Sequence, residues 1–145
     1  MDGYRFSTET NVRFAETDAQ GIVHHANYFV WFELARVDYL QQFAHGYQAL
    51  QAEGYEATVV EGHARYVVPA RFGDRIRIWT RCVGVKGARF RYEYALERVT
   101  DGVLIADGWT SHACVDAKTL RPTRLPQWLV DAVATAEASS ASDSS

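Results

Sequence analysis

Asn27-Tyr28-Phe29-Val30-Trp31-Phe32-Glu33-Leu34-Ala35-Arg36-Val37-Asp38-Tyr39-Leu40 contains no Gly or Pro and is apolar on almost every side. Tyr28, Phe32, Ala35, Tyr39 and Phe43 recur at helical spacing on one face. Phe29, Val30 and Trp31 carry the apolar surface nearly around the first turns. A helix of this kind is enclosed by the rest of a fold rather than laid on its surface. Gly46 and Gly54 punctuate its end and the approach to the next element.

What lies downstream can enclose it. Ile76, Ile78, Thr80 and Cys82 alternate with Arg75, Arg77, Trp79 and Arg81, and Phe90, Tyr92, Tyr94 and Leu96 alternate with Arg89, Arg91 and Glu93. A period of two marks half-buried strands with one face on a core. Val85-Lys86-Gly87-Ala88 and Thr100-Asp101-Gly102 separate strands as hairpin turns. Residues 55–68 and 103–115 supply two more strands, residues 4–14 a first one, and residues 127–138 a short closing helix. The short loops make the last three strands antiparallel neighbours. The expected class is α+β: a five-stranded, mostly antiparallel sheet curled around one long central helix. Two such units could close their exposed edges by pairing sheets side by side.

The chain of 145 residues has the length of one ordinary domain, expected over 1–138, and the Ser/Ala/Asp tail at 139–145 is expected to be disordered. A composition of 48% hydrophobic and 23% charged residues is that of a globular protein, and 13% aromatics supply a sizeable core. A net charge of -3 gives no global nucleic-acid footprint. No apolar run approaches the roughly 18 residues a membrane span needs, and Met1-Asp2-Gly3-Tyr4-Arg5 does not open a secretory signal. Cys82 and Cys114, without metal-ligand spacing, read as reduced, half-buried thiols. These features predict a cytoplasmic protein with neither nucleic acid nor membrane as partner.

Chemistry concentrates just upstream of the helix, in Phe14-Ala15-Glu16-Thr17-Asp18-Ala19-Gln20-Gly21-Ile22-Val23-His24-His25-Ala26-Asn27-Tyr28. A helix N-terminus presents unpaired N–H groups and a partial positive charge, which can polarise a carbonyl or hold an oxyanion. Asp18 lies close enough along the loop for its carboxylate to fold back to such a site, and Gly21 permits the tight turn this requires. A lone Asp before a helix is ordinarily a cap or turn residue. What sets Asp18 apart is the pattern around it.

Phe14, Thr17-Asp18, Gly21-Ile22-Val23, His25, Asn27-Tyr28 and Trp31-Phe32-Glu33 resemble the signature of hotdog-fold thioesterases of the 4-hydroxybenzoyl-CoA thioesterase type. Val67-Val68-Pro69-Ala70, Gly73-Asp74 and Arg121-Pro122 extend the resemblance over residues 5–126. It implies an acyl-CoA hydrolase with its site at the interface of a dimer, within a dimer or homotetramer. Asp18 is then nucleophile or general base, the backbone N–H of His25 polarises the thioester carbonyl, and the His25 imidazole supports it. Gly21 and Asn27 read first as a turn and a helix start. Under the resemblance they join Tyr28, Lys86 and Arg89 as the substrate-binding set, the two cations flanking the Gly87 turn to meet the phosphates of CoA. This hairpin is thinner in basic residues than those of family members with three in a row. No metal or other cofactor is implied, since coenzyme A is part of the substrate.

Other readings compete on particular residues. Some hotdog thioesterases carry their catalytic carboxylate on the central helix, where Glu33 stands here, although a buried Glu33 would more readily pair with Arg36 or a strand Arg. A hydratase of the same fold would show Asp and His five residues apart, and His24 and His25 fall six and seven after Asp18. An acyl-carrier-protein thioesterase could use the Arg-rich strands as a basic rim. A non-catalytic acyl-CoA-binding hotdog module would keep Lys86 and Arg89 and have no need of Asp18.

Overall fold

The structure, a computed structural model, describes residues 1–143, with side chains as far as residue 138. The disordered tail expected over 139–145 therefore falls outside the described side chains, and its last two residues lie outside the described chain. The elements in chain order are β1 (Phe6–Asn11), a 3₁₀ turn (Phe14–Glu16), α1 (Ala26–Phe43), α2 (Gly46–Ala52), β2 (Tyr55–Tyr66), β3 (Arg75–Lys86), β4 (Arg89–Arg98), β5 (Leu104–Asp116) and α3 (Gln127–Asp143). The strands form one antiparallel sheet in the order β1-β3-β4-β5-β2. The sheet wraps α1, as the alternation predicts. Ile76, Ile78, Cys82, Phe90, Tyr92, Tyr94 and Leu96 are all buried beneath the helix together with Phe32, Ala35 and Tyr39.

One contact fixes how close the helix comes to the sheet. Phe32 is fully buried and stacks on Tyr94, with ring centroids 4.2 Å apart and planes within 2°. Tyr94 pairs across β4 and β5 with Gly108. A Cβ at Gly108 would come within 2.9 Å of the Phe32 ring and 2.3 Å of the His63 carbonyl oxygen, so only glycine leaves room for this approach. Further along α1, Tyr39 meets Phe6, Phe43 and Tyr92 edge-on. Burying each such ring contributes roughly 1.5–3 kcal/mol.

Several expectations need revision. The single sheet covers only one side of α1, so Phe29, Val30, Leu34 and Val37 remain exposed along with Val59 and Val60 of β2. Glu33 is exposed rather than buried. Arg36, its expected partner, points instead to the hydroxyls of Tyr94 and Tyr47. The first strand is shorter than residues 4–14, because the chain turns into the 3₁₀ segment at Phe14. Helix α2 occupies the stretch between Gly46 and Gly54 that reads in sequence as punctuation. Cys82 and Cys114 are free, as expected, but fully rather than half buried, and burial pushes the Cys82 thiol up to about 12. The outer face of β3 is laced with ion pairs: Arg75 and Arg77 meet Glu9, Arg77 also meets Glu97, and Arg81 meets Glu93.

Beneath α1 runs a buried polar chain. The hydroxyls of Tyr94 and Thr110 lie 2.7 Å apart, and Thr110 Oγ1 lies 2.7 Å from His112 Nε2. His112 is 2% exposed and stacks on Phe90, and its Nδ1 has no hydrogen-bond partner among the described residues. Burial, aided by the charge of Arg36, holds the ring down to about 3. The unfolded chain therefore takes up a proton between about pH 6.5 and 3 that the folded chain refuses. This contribution to stability is complete above that window and is lost as the pH falls through it, by at most about 1.4 kcal/mol per pH unit. Thermal unfolding followed from pH 7 to 4.5 should show a flatter decline in His112→Gln than in the parent, and equal slopes would remove His112 as the cause.

Candidate active site

The loop before α1 is held by short backbone contacts. Thr17 and Val23 form an antiparallel bridge, the Asp18 amide donates to the Ile22 carbonyl at 2.8 Å, and the Gly21 amide donates to the Asp18 carbonyl at 3.0 Å. Gly21 has φ +78°, a conformation costly for any residue with a Cβ. Asp18 is exposed at this turn, and its Oδ1 accepts the Gln20 amide at 2.8 Å. The carboxylate thus has the local turn role common for Asp, and its Oδ2 has no hydrogen-bond partner among the described residues.

On its far side the loop is tied to the segment that follows β2. The Val23 amide donates to the Ala70 carbonyl at 2.9 Å, and Ile22 bridges Arg71. Between the two lies a cavity of about 200 Å³ lined by Ile22, Val23, His25, Tyr28, Tyr66 and residues 67–69. His25 stacks on Tyr66 with centroids 4.7 Å apart, Tyr66 donates its hydroxyl to the His25 carbonyl at 3.4 Å, and Tyr28 meets Tyr66 edge-on. Of the residues singled out in sequence, His25 and Tyr28 line this cavity, whereas Asp18, Gly21 and Asn27 do not.

The amides at the start of α1 have unequal fates. The His24 amide donates to the Glu16 carbonyl at 2.9 Å, Ala26 to His24 Nδ1 at 3.2 Å, Asn27 to the His24 carbonyl at 3.0 Å and Tyr28 to the His25 carbonyl at 3.2 Å. In this run only the His25 amide finds no acceptor among the described residues. The first turn of α1 carries no acidic residue, so the positive end of the helix is left uncompensated there. An exposed donor at a helix start beside an apolar cavity suits a carbonyl oxygen that gains negative charge.

Glu16 and Tyr66 carry no functional reading in sequence, and Trp31 enters it only within the thioesterase-like signature, yet the three build this site. Glu16 and Trp31 are buried and bonded to each other at 2.9 Å. Asn27 is a fastening rather than a wall, donating its side-chain amide to the Glu16 carbonyl at 3.0 Å. Lys86 and Arg89 sit opposite each other across the β3–β4 hairpin, both exposed and neither in an ion pair among the described residues. Arg91 is engaged otherwise, its guanidinium 4.0 Å from the Trp109 ring centre. The β3 arginines are already paired with carboxylates, so they do not form the free basic rim that a carrier protein would need. No group of three or more His, Cys, Asp or Glu residues among those described is placed to hold a metal, and no described helix is long and apolar enough to cross a membrane.

A five-stranded antiparallel sheet wrapped around a central helix, with an Asp-bearing loop entering that helix, defines a hotdog fold of the thioesterase type. Residues 12–133 match the family model described as the thioesterase-like superfamily, and the chain belongs to that family. It is 35% identical over 123 residues to the acyl-CoA thioesterase YbgC of Haemophilus influenzae, covering 84% of this chain and 89% of that protein. Among solved structures, the DHNA-CoA thioesterase of Staphylococcus aureus superposes with a TM-score of 0.84 at 27% identity, over 94% of this chain and 93% of that one. A thioesterase of Thermus thermophilus, solved in complex with coenzyme A and Zn, superposes with a TM-score of 0.80 at 25% identity, over 95% of this chain and 98% of that one.

Proposed function

We propose that this protein is an acyl-CoA thioesterase, cleaving a small or medium acyl- or aryl-CoA thioester to the free acid and coenzyme A. The observation that carries the reading is the His25 amide, without an acceptor among the described residues, at a helix start whose first turn carries no acid, on a residue that lines an apolar cavity of about 200 Å³. The names of its relatives point to the same substrate class.

In this reading the acyl group lies along Tyr28, Tyr66 and residues 67–69, and the thioester carbonyl accepts the His25 amide. Asp18 supplies the carboxylate. It adds to the carbonyl carbon and expels the CoA thiolate, leaving a mixed anhydride that water hydrolyses, or it takes a proton from the water that attacks. Either route breaks the C–S bond, adds the elements of water and delivers a proton to the thiolate. The stacked His25 ring supports the cavity wall beside the reacting carbonyl. The open turn at Gly21 lets substrate approach the backbone, and Asn27 keeps the helix start in place. The reading calls for no metal or other cofactor. Asp18→Asn should retain the fold and lose at least about 100-fold in kcat in a thiol-release assay over aliphatic and aromatic acyl-CoAs. Parent-like turnover in that variant would exclude Asp18.

Lys86 and Arg89, free of carboxylate partners, are proposed to receive the nucleotide phosphates of CoA. Lys86→Ala with Arg89→Ala should raise KM for acyl-CoA about 10-fold or more and leave the truncated pantetheine thioester nearly unaffected. An equal effect on both substrates would remove this assignment.

Self-association completes the reading. Strand β2 is a sheet edge, largely exposed, and beside it lie the uncovered Phe29, Val30, Leu34 and Val37 of α1. A long open edge flanked by an apolar face favours pairing with a second copy, as a dimer or a dimer of dimers in the cytoplasm. Light scattering at assay concentration should give a dimer or tetramer mass, and a monomer that turns over substrate would contradict a shared site.

A further inference from the structure

We infer that Glu16 is a positioning residue for catalysis, holding the Asp18 carboxylate and the His25 amide in register with each other. The inference rests on the reading of Asp18 as the catalytic carboxylate.

Glu16 stands two residues before Asp18, at the end of the 3₁₀ turn, and its side chain is only 5% exposed. Its Oε1 accepts the Arg13 amide at 2.8 Å and its Oε2 accepts the indole N–H of Trp31 at 2.9 Å. The nearest cation, Arg13 Nε, is 3.6 Å away on a side chain that is 73% exposed. The backbone oxygen of Glu16 accepts two further donors, the His24 amide at 2.9 Å and the Asn27 side-chain amide at 3.0 Å.

These bonds reach the helix start directly, and the Asp18 half of the proposed site through two residues of chain. The side chain fastens the loop to Trp31, one and a half turns inside α1 and itself fully buried. The carbonyl fastens the same residue to His24 and Asn27, which flank the free His25 amide on either side. A carboxylate withdrawn from water is costly unless its oxygens are satisfied. A neutral apolar residue could fill the volume, but it could not accept from Trp31 and Arg13 together. The acid at position 16 is therefore explained by the geometry it imposes on residues 18 and 25, where a misplacement of about 1 Å can cost about 100-fold in rate.

The test is steady-state thiol release from the preferred acyl-CoA for Trp31→Phe, Glu16→Ala, Glu16→Gln and the double variant Glu16→Ala/Trp31→Phe, with Asp18→Asn in parallel and thermal unfolding of each. Trp31→Phe keeps an aromatic ring and removes the indole donor. It should lower kcat about 10-fold with KM within about twofold, and Glu16→Ala should lower kcat about 100-fold. The double variant should be no slower than Glu16→Ala alone, because both act through one bond. Glu16→Gln, which retains one acceptor, should recover part of the loss. Parent-like kcat in folded Trp31→Phe and Glu16→Gln, beside an inactive Asp18→Asn, would overturn the positioning role and leave Asp18 in place. Strictly additive losses in the double variant would overturn it as well. Should Glu16→Ala fail to fold, Trp31→Phe and Glu16→Gln decide the matter by themselves. Full activity in Asp18→Asn would instead remove the reading on which the inference stands.

Discussion

Phe32 lies flat on Tyr94 because the residue opposite Tyr94 on the neighbouring strand, Gly108, has no side chain. That stack sets the height and rotation of α1 against the sheet, and the other contacts of the helix follow from it. With Phe32 facing the sheet, Trp31 points toward the 3₁₀ turn, where Glu16 accepts its indole N–H, and Tyr28 turns toward Tyr66 and the end of β2. Phe29 swings to the other side, where Gly62 of β2 leaves room for its ring. The helix start is thus placed at one corner of the molecule, between the Asp18 loop and the Val67-Val68-Pro69 segment. The cavity there is a consequence of seating the helix before it is a feature of the loop.

Much of this is legible in the residues. The period of two in β3 and β4 names the buried positions correctly, because in an antiparallel sheet with one face on a core the alternation is itself the physical constraint. The absence of Gly and Pro through residues 27–40 marks α1, and Gly21, found at φ +78°, marks the turn beside Asp18. Contacts made only in three dimensions are not legible. Glu16 meets Trp31 across fifteen residues and Tyr66 meets His25 across forty-one, through strand register that no local pattern encodes. Helix α2 is too short for a periodic signal to stand out between two glycines. Apolarity all around α1 suggests complete enclosure, whereas one sheet can shield only one side of a helix.

That last mismatch bears on function. Apolar positions on the uncovered side of α1 and exposed valines on an edge strand with one open side have a common physical meaning, since both are costly in water and both are relieved by the same kind of contact. The Arg-rich outer face of the sheet behaves in the opposite way. The guanidinium groups of Arg75, Arg77, Arg81 and Arg91 are matched to Glu9, Glu93 and Glu97 or laid over Tyr4 and Trp109, and the cations left outside ion pairs there among the described residues, Lys86 and Arg89, sit at the hairpin end. The two faces of one sheet thus differ in what they need, and the uncovered apolar surface lies along α1 and β2, which also contribute Tyr28 and Tyr66 to the cavity.

The site itself shows the same division between satisfied and open groups. Around the start of α1 the chain takes up every amide from residue 24 to 28 except one, and it does so with acceptors drawn from His24, His25 and Glu16. The fold satisfies His24 and Ala26 through special contacts and leaves the donor between them without an acceptor among the described residues. Asp18 is arranged in a parallel manner, with one oxygen bound into its own turn and the other without a hydrogen-bond partner among the described residues. In the function proposed above, these two groups serve the two ends of a carbonyl group under attack: the carboxylate as nucleophile or base on the carbon side, the amide as donor on the oxygen side. Glu16 ties the start of α1 to the loop through Trp31, His24 and Asn27, and in the positioning role inferred for it these groups are held before substrate arrives, the condition under which such dipoles lower a barrier rather than merely bind.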